Sequence, residues 1–176
     1  MADCHLKDVR CREDDARLVL QWRNDPVTRE GSFHTGERHW ADFWPDFRDG
    51  YPPAGAARPQ FVMCAGRPVA FLRFDPPRTG HGDDDLVEIS INVAPDHRSR
   101  GIGVAALHLA EGYLHRFGHA GILALVKADN AISRRVFEKA GYQATGEISV
   151  TPSEGMPPTV AIRYIRPLKR ESGTMA

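Results

Sequence analysis

From residue 92 to 103 the chain reads Asn-Val-Ala-Pro-Asp-His-Arg-Ser-Arg-Gly-Ile-Gly, and the chemistry this spacing serves is the holding of phosphate. A β-run ends in it and a helix begins with an Arg-x-x-Gly-x-Gly turn. Gly101 and Gly103 let the backbone approach an anion closely, and the first-turn N–H groups of the following helix have no internal partners. The helix dipole adds partial positive charge, and Arg98 and Arg100 add full charges beside it. Cations are unfavourable at a positive helix end unless an anion sits there, so their placement points to a phosphate-bearing, nucleotide-like ligand.

Other clusters carry less. His115 and His119 stand four apart with His108 two turns earlier, near one helix face, but no third ligand type accompanies them and no metal is expected. Cys4, Cys11 and Cys64 are odd in number and show no ligand-like pairing, so they are expected to remain thiols.

Strands and helices must position the turn. His5 to Arg10 alternates as a short strand, and Glu13-Asp14-Asp15 opens an apolar-periodic helix through Ala16, Leu18, Val19, Leu20 and Trp22 that ends near Pro26. A second helix, from about Gly36 to Phe47, presents His39, Trp40, Phe43 and Trp44, and at least half of these aromatics are expected to pack on the sheet. Gln60 to Cys64 and Pro68 to Phe74 form a hairpin about Ala65-Gly66-Arg67. The loop Pro76 to Asp85 reads as mobile and exposed. Leu86 to Val93 alternates, setting Ile89, Ile91 and Val93 opposite Glu88, Ser90 and Asn92.

A helix from Gly101 to Phe117 turns Ile102, Ala105, Leu109 and Tyr113 or Leu114 inward. Ile122 to Val126 is a buried strand, Asn130 to Ala140 a helix closed by Gly141, and Ile148, Val150 and Val160 to Ile165 supply the last strands around a loop from Thr151 to Pro158. The order predicts an α/β (α+β) fold with a mixed sheet flanked by helices, one domain over 1–168, and a disordered tail over 169–176.

The 176 residues are 41% hydrophobic, with 23 basic and 23 acidic side chains. That suits one globular domain and gives no basic excess for nucleic-acid binding. No apolar run has membrane-spanning length and the N-terminus lacks a signal-peptide core, so a cytoplasmic protein acting on a small molecule, monomeric or homodimeric, is expected.

Two ligands suit the turn. Gly101-Ile102-Gly103-Val104-Ala105-Ala106 fits the dinucleotide pattern Gly-x-Gly-x-x-Gly/Ala, with Asp129 as the ribose ligand. Against it, Pro95 to Arg100 separate strand from turn, and too little chain follows Asp129 for a series of βαβ units. The alternative rests on Val93, Pro95, Arg98, Gly101 and Gly103, followed downstream by Asn130, Phe137 and Gly141-Tyr142. In these two linked signatures the chain resembles the GNAT superfamily of N-acetyltransferases over most of its length.

The resemblance implies a mostly antiparallel central sheet whose splayed strand pair holds acetyl-CoA as cosubstrate, with no metal. Backbone groups of Ser99, Arg100, Gly101, Ile102, Gly103 and Val104, beside Arg98, would hold the pyrophosphate. The strand edge at Ile91 and Val93 would pair with the pantetheine amides, and Asn130 would bond that arm from the other side, or cap its own helix, or do both.

Acyl transfer needs a neutral amine, an oxyanion donor and a proton for the leaving thiolate. The N–H near Val93 is the implied oxyanion donor. Glu88, an acid on the polar strand face, is the candidate base, directly or through water; equally, it could be a strand carboxylate paired with Arg73, and a bulge would change which side chains reach the cleft. Phe137, which the resemblance also implies as a cofactor contact, stands where the family pattern often has a thiolate-protonating Tyr, so water, Tyr142, another hydroxyl or unassisted departure must serve.

Trp22-Arg23-Asn24-Asp25, His39, the segment Pro68 to Asp75 and Glu88-Ile89-Ser90-Ile91 look like a GNAT subgroup that acetylates nucleotide-linked amino sugars, of the pseudaminic acid pathway type. Trp22 and Trp40 could stack on a base or sugar, Arg23 could reach a phosphate, and Asn24, His39, Arg73 and Ser90 complete the candidate acceptor site. Trp22 as core and Arg23 as a surface ion-pair partner is the competing reading. Protein N-terminal or other small-molecule amine acetylation, and a non-catalytic CoA-binding regulatory domain, are the alternatives.

Overall fold

The computed structural model describes residues 4–78, 83–152 and 155–168. The proposed tail, 169–176, lies outside the described residues. Seven strands form one sheet in the order β1-β2-β3-β4-β5-β7-β6. They are β1 (Cys4–Asp8), β2 (Gln60–Cys64), β3 (Arg67–Asp75), β4 (Leu86–Val93), β5 (Gly121–Lys127), β6 (Gln143–Val150) and β7 (Thr159–Pro167), and only β4 and β5 pair in parallel. The helices are α1 (Glu13–Asn24), α2 (Pro26–Gly31), α3 (Trp40–Asp49), α4 (Ile102–Leu114) and α5 (Ala131–Lys139). None of them is long and apolar enough to cross a membrane.

Alternation along the strands sends apolar side chains to both faces, and each face has its own core. Leu72, Val87, Ile89 and Ile122 meet Leu107 of α4 and Phe137 of α5 on one side. Phe61 and Phe71 meet Val19 and Trp22 of α1 and Phe43 of α3 on the other. The hairpin of β2 and β3 turns through Ala65 and Gly66, both at positive φ, the pair of left-handed residues a two-residue turn of matching twist requires.

Two expectations are corrected and two are extended: α1 does end before Pro26, and Pro76, Arg78, Asp84 and Asp85 of the loop after β3 are exposed. Cys4 and Cys64 form a disulfide, because the antiparallel register of β1 and β2 sets them directly opposite each other with Cα atoms 4.4 Å apart, leaving only Cys11 free. Pro26 does not simply end a helix: it opens α2 at the first helical position, where its missing N–H costs nothing, with Asp25 as the cap accepting from the Thr28 N–H at 3.1 Å. On α4 the inward face is Gly103, Ala106, Leu107, Ala110 and Leu114, while Ile102, Ala105, Leu109 and Tyr113 are half-buried. The loop after β3 is pinned on both sides of 79–82, by Arg78 on Glu88 and by buried Asp83 on Arg163, and 79–82 themselves lie outside the described residues.

Candidate functional site

β4 and β5 pair only at Leu86/Gly121, Val87/Ile122 and Glu88/Leu123, after which they part. Beyond that point β4 keeps its partner β3 and β5 keeps β7, so a slot opens between their C-terminal halves. The β4 register against β3 runs without interruption from Glu88 to Val93, so no bulge re-aims its side chains. The Ala94 N–H bonds the Val69 carbonyl at 2.9 Å on the β3 side. Strand alternation therefore turns the backbone groups of Ile89, Ile91 and Val93 toward the slot.

The phosphate turn closes the same end. Ser99 and Gly101 take left-handed conformations, with φ of 59° and 76°. The first bond into α4 is from the Ala105 N–H to the Gly101 carbonyl at 3.1 Å, so the N–H groups of Ile102, Gly103 and Val104 have no acceptor a turn back. A Cβ on Gly103 would lie 2.9 Å from Val136 Cγ1, so this glycine is needed for the packing of α4 on α5. Arg100 is exposed and makes no ion pair among the described residues.

Arg98 turns away from the helix end: its guanidinium pairs with Asp25 and donates to Thr28 Oγ1 at 2.7 Å. The other end of α2 is fastened to the far side of the slot. Lys127 Nζ donates to the Glu30 carbonyl at 3.0 Å and Asn130 Nδ2 to the Gly31 carbonyl at 3.2 Å, while Asn130 Oδ1 caps α5 through the Ser133 N–H. Thus α2 runs from the turn after β4 to the end of β5. The sequence signal for this strap was present in Asp25-Pro26-x-Thr28, a cap followed by a first-position proline.

Glu88 sits at the last paired position of β4, where the strands part, and is 2% exposed. Its partner is Arg78, ten residues back, and not Arg73. Arg78 gives its Nε and Nη2 to Oε1 at 2.9 and 2.5 Å and its backbone N–H to Oε2 at 3.1 Å, whereas exposed Arg73 pairs with Asp75 in its own strand. Ser90, two residues on, is exposed on the same face.

The remaining candidates separate into structural and open positions. Trp22 is 6% exposed with its ring edge-on to Phe61, so it is a core residue with no free face for a ligand. Arg23 and Asn24 clasp the loop between α2 and α3: Arg23 donates to the His34 and Gly36 carbonyls, and Asn24 exchanges two bonds with the Arg38 backbone. His39 is exposed just before α3, and half-buried Trp40 stacks on Trp44 beneath Arg17. Phe137 is buried between Tyr142 and Tyr164. Its ring is therefore core and not an open cofactor contact. The Tyr142 hydroxyl is buried without a hydrogen-bond partner, and burial, then Glu111, hold it far above the ordinary phenol range. Among the described residues no cluster of three or more His, Cys, Asp or Glu could hold a metal.

This architecture recurs among solved structures of low sequence identity. The aminoglycoside acetyltransferase AAC(6')-Ib, in complex with paromomycin and acetyl-CoA, superposes with a TM-score of 0.77 at 16% identity, covering 99% of this chain and 98% of that one. A GCN5-related N-acetyltransferase from Kribbella flavida gives 0.71 at 20% identity, covering 94% and 98%, and an N-acetyltransferase from Staphylococcus aureus Mu50 gives 0.70 at 17%, covering 96% and 100%. No curated protein matches the sequence significantly. The sequence model of the acetyltransferase (GNAT) family, however, matches residues 18–142, across the parted strands, the phosphate turn and the Asn130 helix, and the chain belongs to that family.

Proposed function

We propose that this acetyltransferase takes its acetyl group from acetyl-CoA and transfers it by direct attack of a primary amine, with a nucleotide-linked amino sugar as acceptor. The observation that carries the donor half is the parting of β4 and β5 after Glu88 and Leu123, beside a left-handed turn that opens α4. The pyrophosphate would lie on the N–H groups of Ile102 to Val104, and the pantetheine would enter the slot as an extra strand against Ile91 and Val93. The Val93 N–H would meet the developing oxyanion.

Asn130 and Arg98 would then exchange part of their bonding to α2 for the cofactor. Arg100, which makes no ion pair among the described residues, would face the phosphates. Glu88, buried with both oxygens occupied by Arg78, better suits a positioning role than direct deprotonation. An amino-sugar amine is less basic than lysine, so more of it arrives neutral and a strong base is less necessary. The departing thiolate would take its proton from water, since buried Tyr142 keeps its own.

Calorimetric titration with acetyl-CoA tests the donor: a folded sample that takes up none would defeat the proposal. For the acceptor, thiol release is compared across nucleotide amino sugars, aminoglycosides and peptide N-termini. Turnover of peptides with none on nucleotide amino sugars would reverse it.

A further inference from the structure

The loop between α2 and α3 gathers positive charge that the acetyl donor does not account for. Arg23, in the last turn of α1, is held by two carbonyls, Gly36 at 3.1 Å and His34 at 3.4 Å, and has no carboxylate partner among the described residues. Arg29 on α2 has no ion pair among them either, and its Nε is buried without a hydrogen-bond partner. Arg38 pairs with Asp46, and Arg78 with Glu88. Burial first, and then the charges of Arg38 and Arg29, lower the Arg23 pKa, and burial first, and then Arg23, Arg78 and Arg38, lower that of His34, so these cations act on one another.

The C-terminal dipole of α1 offsets one cation at Arg23. Arg29, in the last turn of α2, has only the weaker dipole of that six-residue helix and no carboxylate partner among the described residues. A guanidinium partly removed from water and bound only by carbonyls, beside a second one with an orphaned buried N–H, is costly unless an anion completes the group. Phe33, in the same loop, lies 5.7 Å from the Arg78 guanidinium, which reaches Glu88 where β4 and β5 part. The charge cluster is therefore continuous with the place where an acceptor would meet the thioester.

We infer that Arg23 and Arg29, with Arg38 behind them, form an anion subsite for a phosphate or carboxylate carried by the amine acceptor. The inference rests on the acetyltransferase reading and assigns its acceptor an anionic class, against polycationic amines. The subsite is distinct from the donor's phosphate turn, where Arg98 is committed to Asp25 and Thr28.

The test uses the full chain saturated with CoA, so that the phosphate turn is filled, and follows the His34 imidazole by NMR during titration with inorganic phosphate and, separately, acetate. Burial first, and then the surrounding arginines, hold His34 below its ordinary range, so a bound anion raises its pKa. In Arg29→Gln the response requires about tenfold more anion, and the acceptor KM rises by a similar factor while kcat and the acetyl-CoA KM stay unchanged. His119, which burial alone holds below its ordinary range, serves as the unmoved control. A stronger response to phosphate assigns a phosphorylated acceptor, and one to acetate a carboxylated acceptor. No His34 response to either anion, or the same response in Arg29→Gln, overturns the subsite. Failure of CoA itself to bind, measured before any anion is added, counts against the acetyltransferase reading instead.

Discussion

Asn130 and Gly31 are fitted to each other across the slot between β4 and β5: the Asn130 amide donates to the Gly31 carbonyl at 3.2 Å, and a Cβ on Gly31 would lie 2.5 Å from that amide nitrogen. The same side chain caps α5 through its oxygen. Gly31→Ala must therefore displace either the α2 bond or the cap. The expected cost is about 1 kcal/mol, the worth of a helix cap, read as a lowered urea midpoint. Asn130→Asp keeps the cap acceptor and loses the donor, so it should lower acetyl-CoA affinity while costing less stability than Asn130→Ala.

The two glycines of the turn should fail differently. At Gly101 an added Cβ meets nothing within 4 Å, but the residue has φ of 76°. Gly101→Ala is thus expected to cost about 1 kcal/mol through conformation, with a larger fractional loss of acetyl-CoA binding because the new methyl crowds the anion. At Gly103 the clash is with Val136, so Gly103→Ala should destabilise by about 1–3 kcal/mol through overpacking of α4 on α5. Denaturant unfolding beside calorimetry separates the two.

Local chemistry was legible in the sequence and cross-chain chemistry was not. Gly101 and Asn130 could be read because turn and cap requirements are met within a few residues, whereas the packing need at Gly103 comes from Val136 on α5 and was not visible. Arg78 was missed as the partner of Glu88 because a loop brings it back, while in-strand Arg73 was nearer in register. Cys4 and Cys64 looked unrelated at a separation of 60 residues, since only the β1/β2 register joins them. Trp22 and Phe137 looked like ligand contacts because an aromatic beside a polar motif carries no mark of which way it faces.

Glu88 distinguishes positioning from base catalysis. Glu88→Gln removes the charge that holds Arg78, and with Arg78 38% exposed the loss is expected near 2 kcal/mol, below that of a fully buried pair. In the positioning role the variant raises the acceptor KM and leaves the shape of the pH–rate profile intact. Loss of the acidic limb of that profile, with kcat down a hundredfold or more, would restore Glu88 as the base.

Stability should fall in acid through Asp15. Its carboxylate takes the Arg10 backbone N–H at 2.7 Å and the Arg10 guanidinium at 2.8 and 3.1 Å. The Arg10 side chain, opposed by burial, holds it below the usual carboxylate range. A depressed folded-state pKa means that the stabilisation is complete above the unfolded value of about 3.9 and is lost as pH falls through the folded one. Because Arg10 is 51% exposed, the contribution is expected to be about 1 kcal/mol. Asp15→Asn should flatten this part of the acid unfolding curve, and an unchanged curve would remove Asp15 from the account.

Reduction of the Cys4–Cys64 bond should lower stability without touching the site. The bridge joins β1 to β2 and closes a loop of 60 residues, for which chain entropy alone gives about 4 kcal/mol in the unfolded state, with measured effects commonly nearer 2–4 kcal/mol. In the strand order β1 is an outer strand, with β2 and β3 between it and the parted strand β4. The reduced protein, or a Cys4→Ser/Cys64→Ser double variant, should therefore unfold at lower denaturant while binding acetyl-CoA with unchanged affinity. A parallel loss of affinity at temperatures where both forms are folded would mean that β1 couples to the slot, since β2 and β3 would then be transmitting a shift and not merely separating the bridge from it.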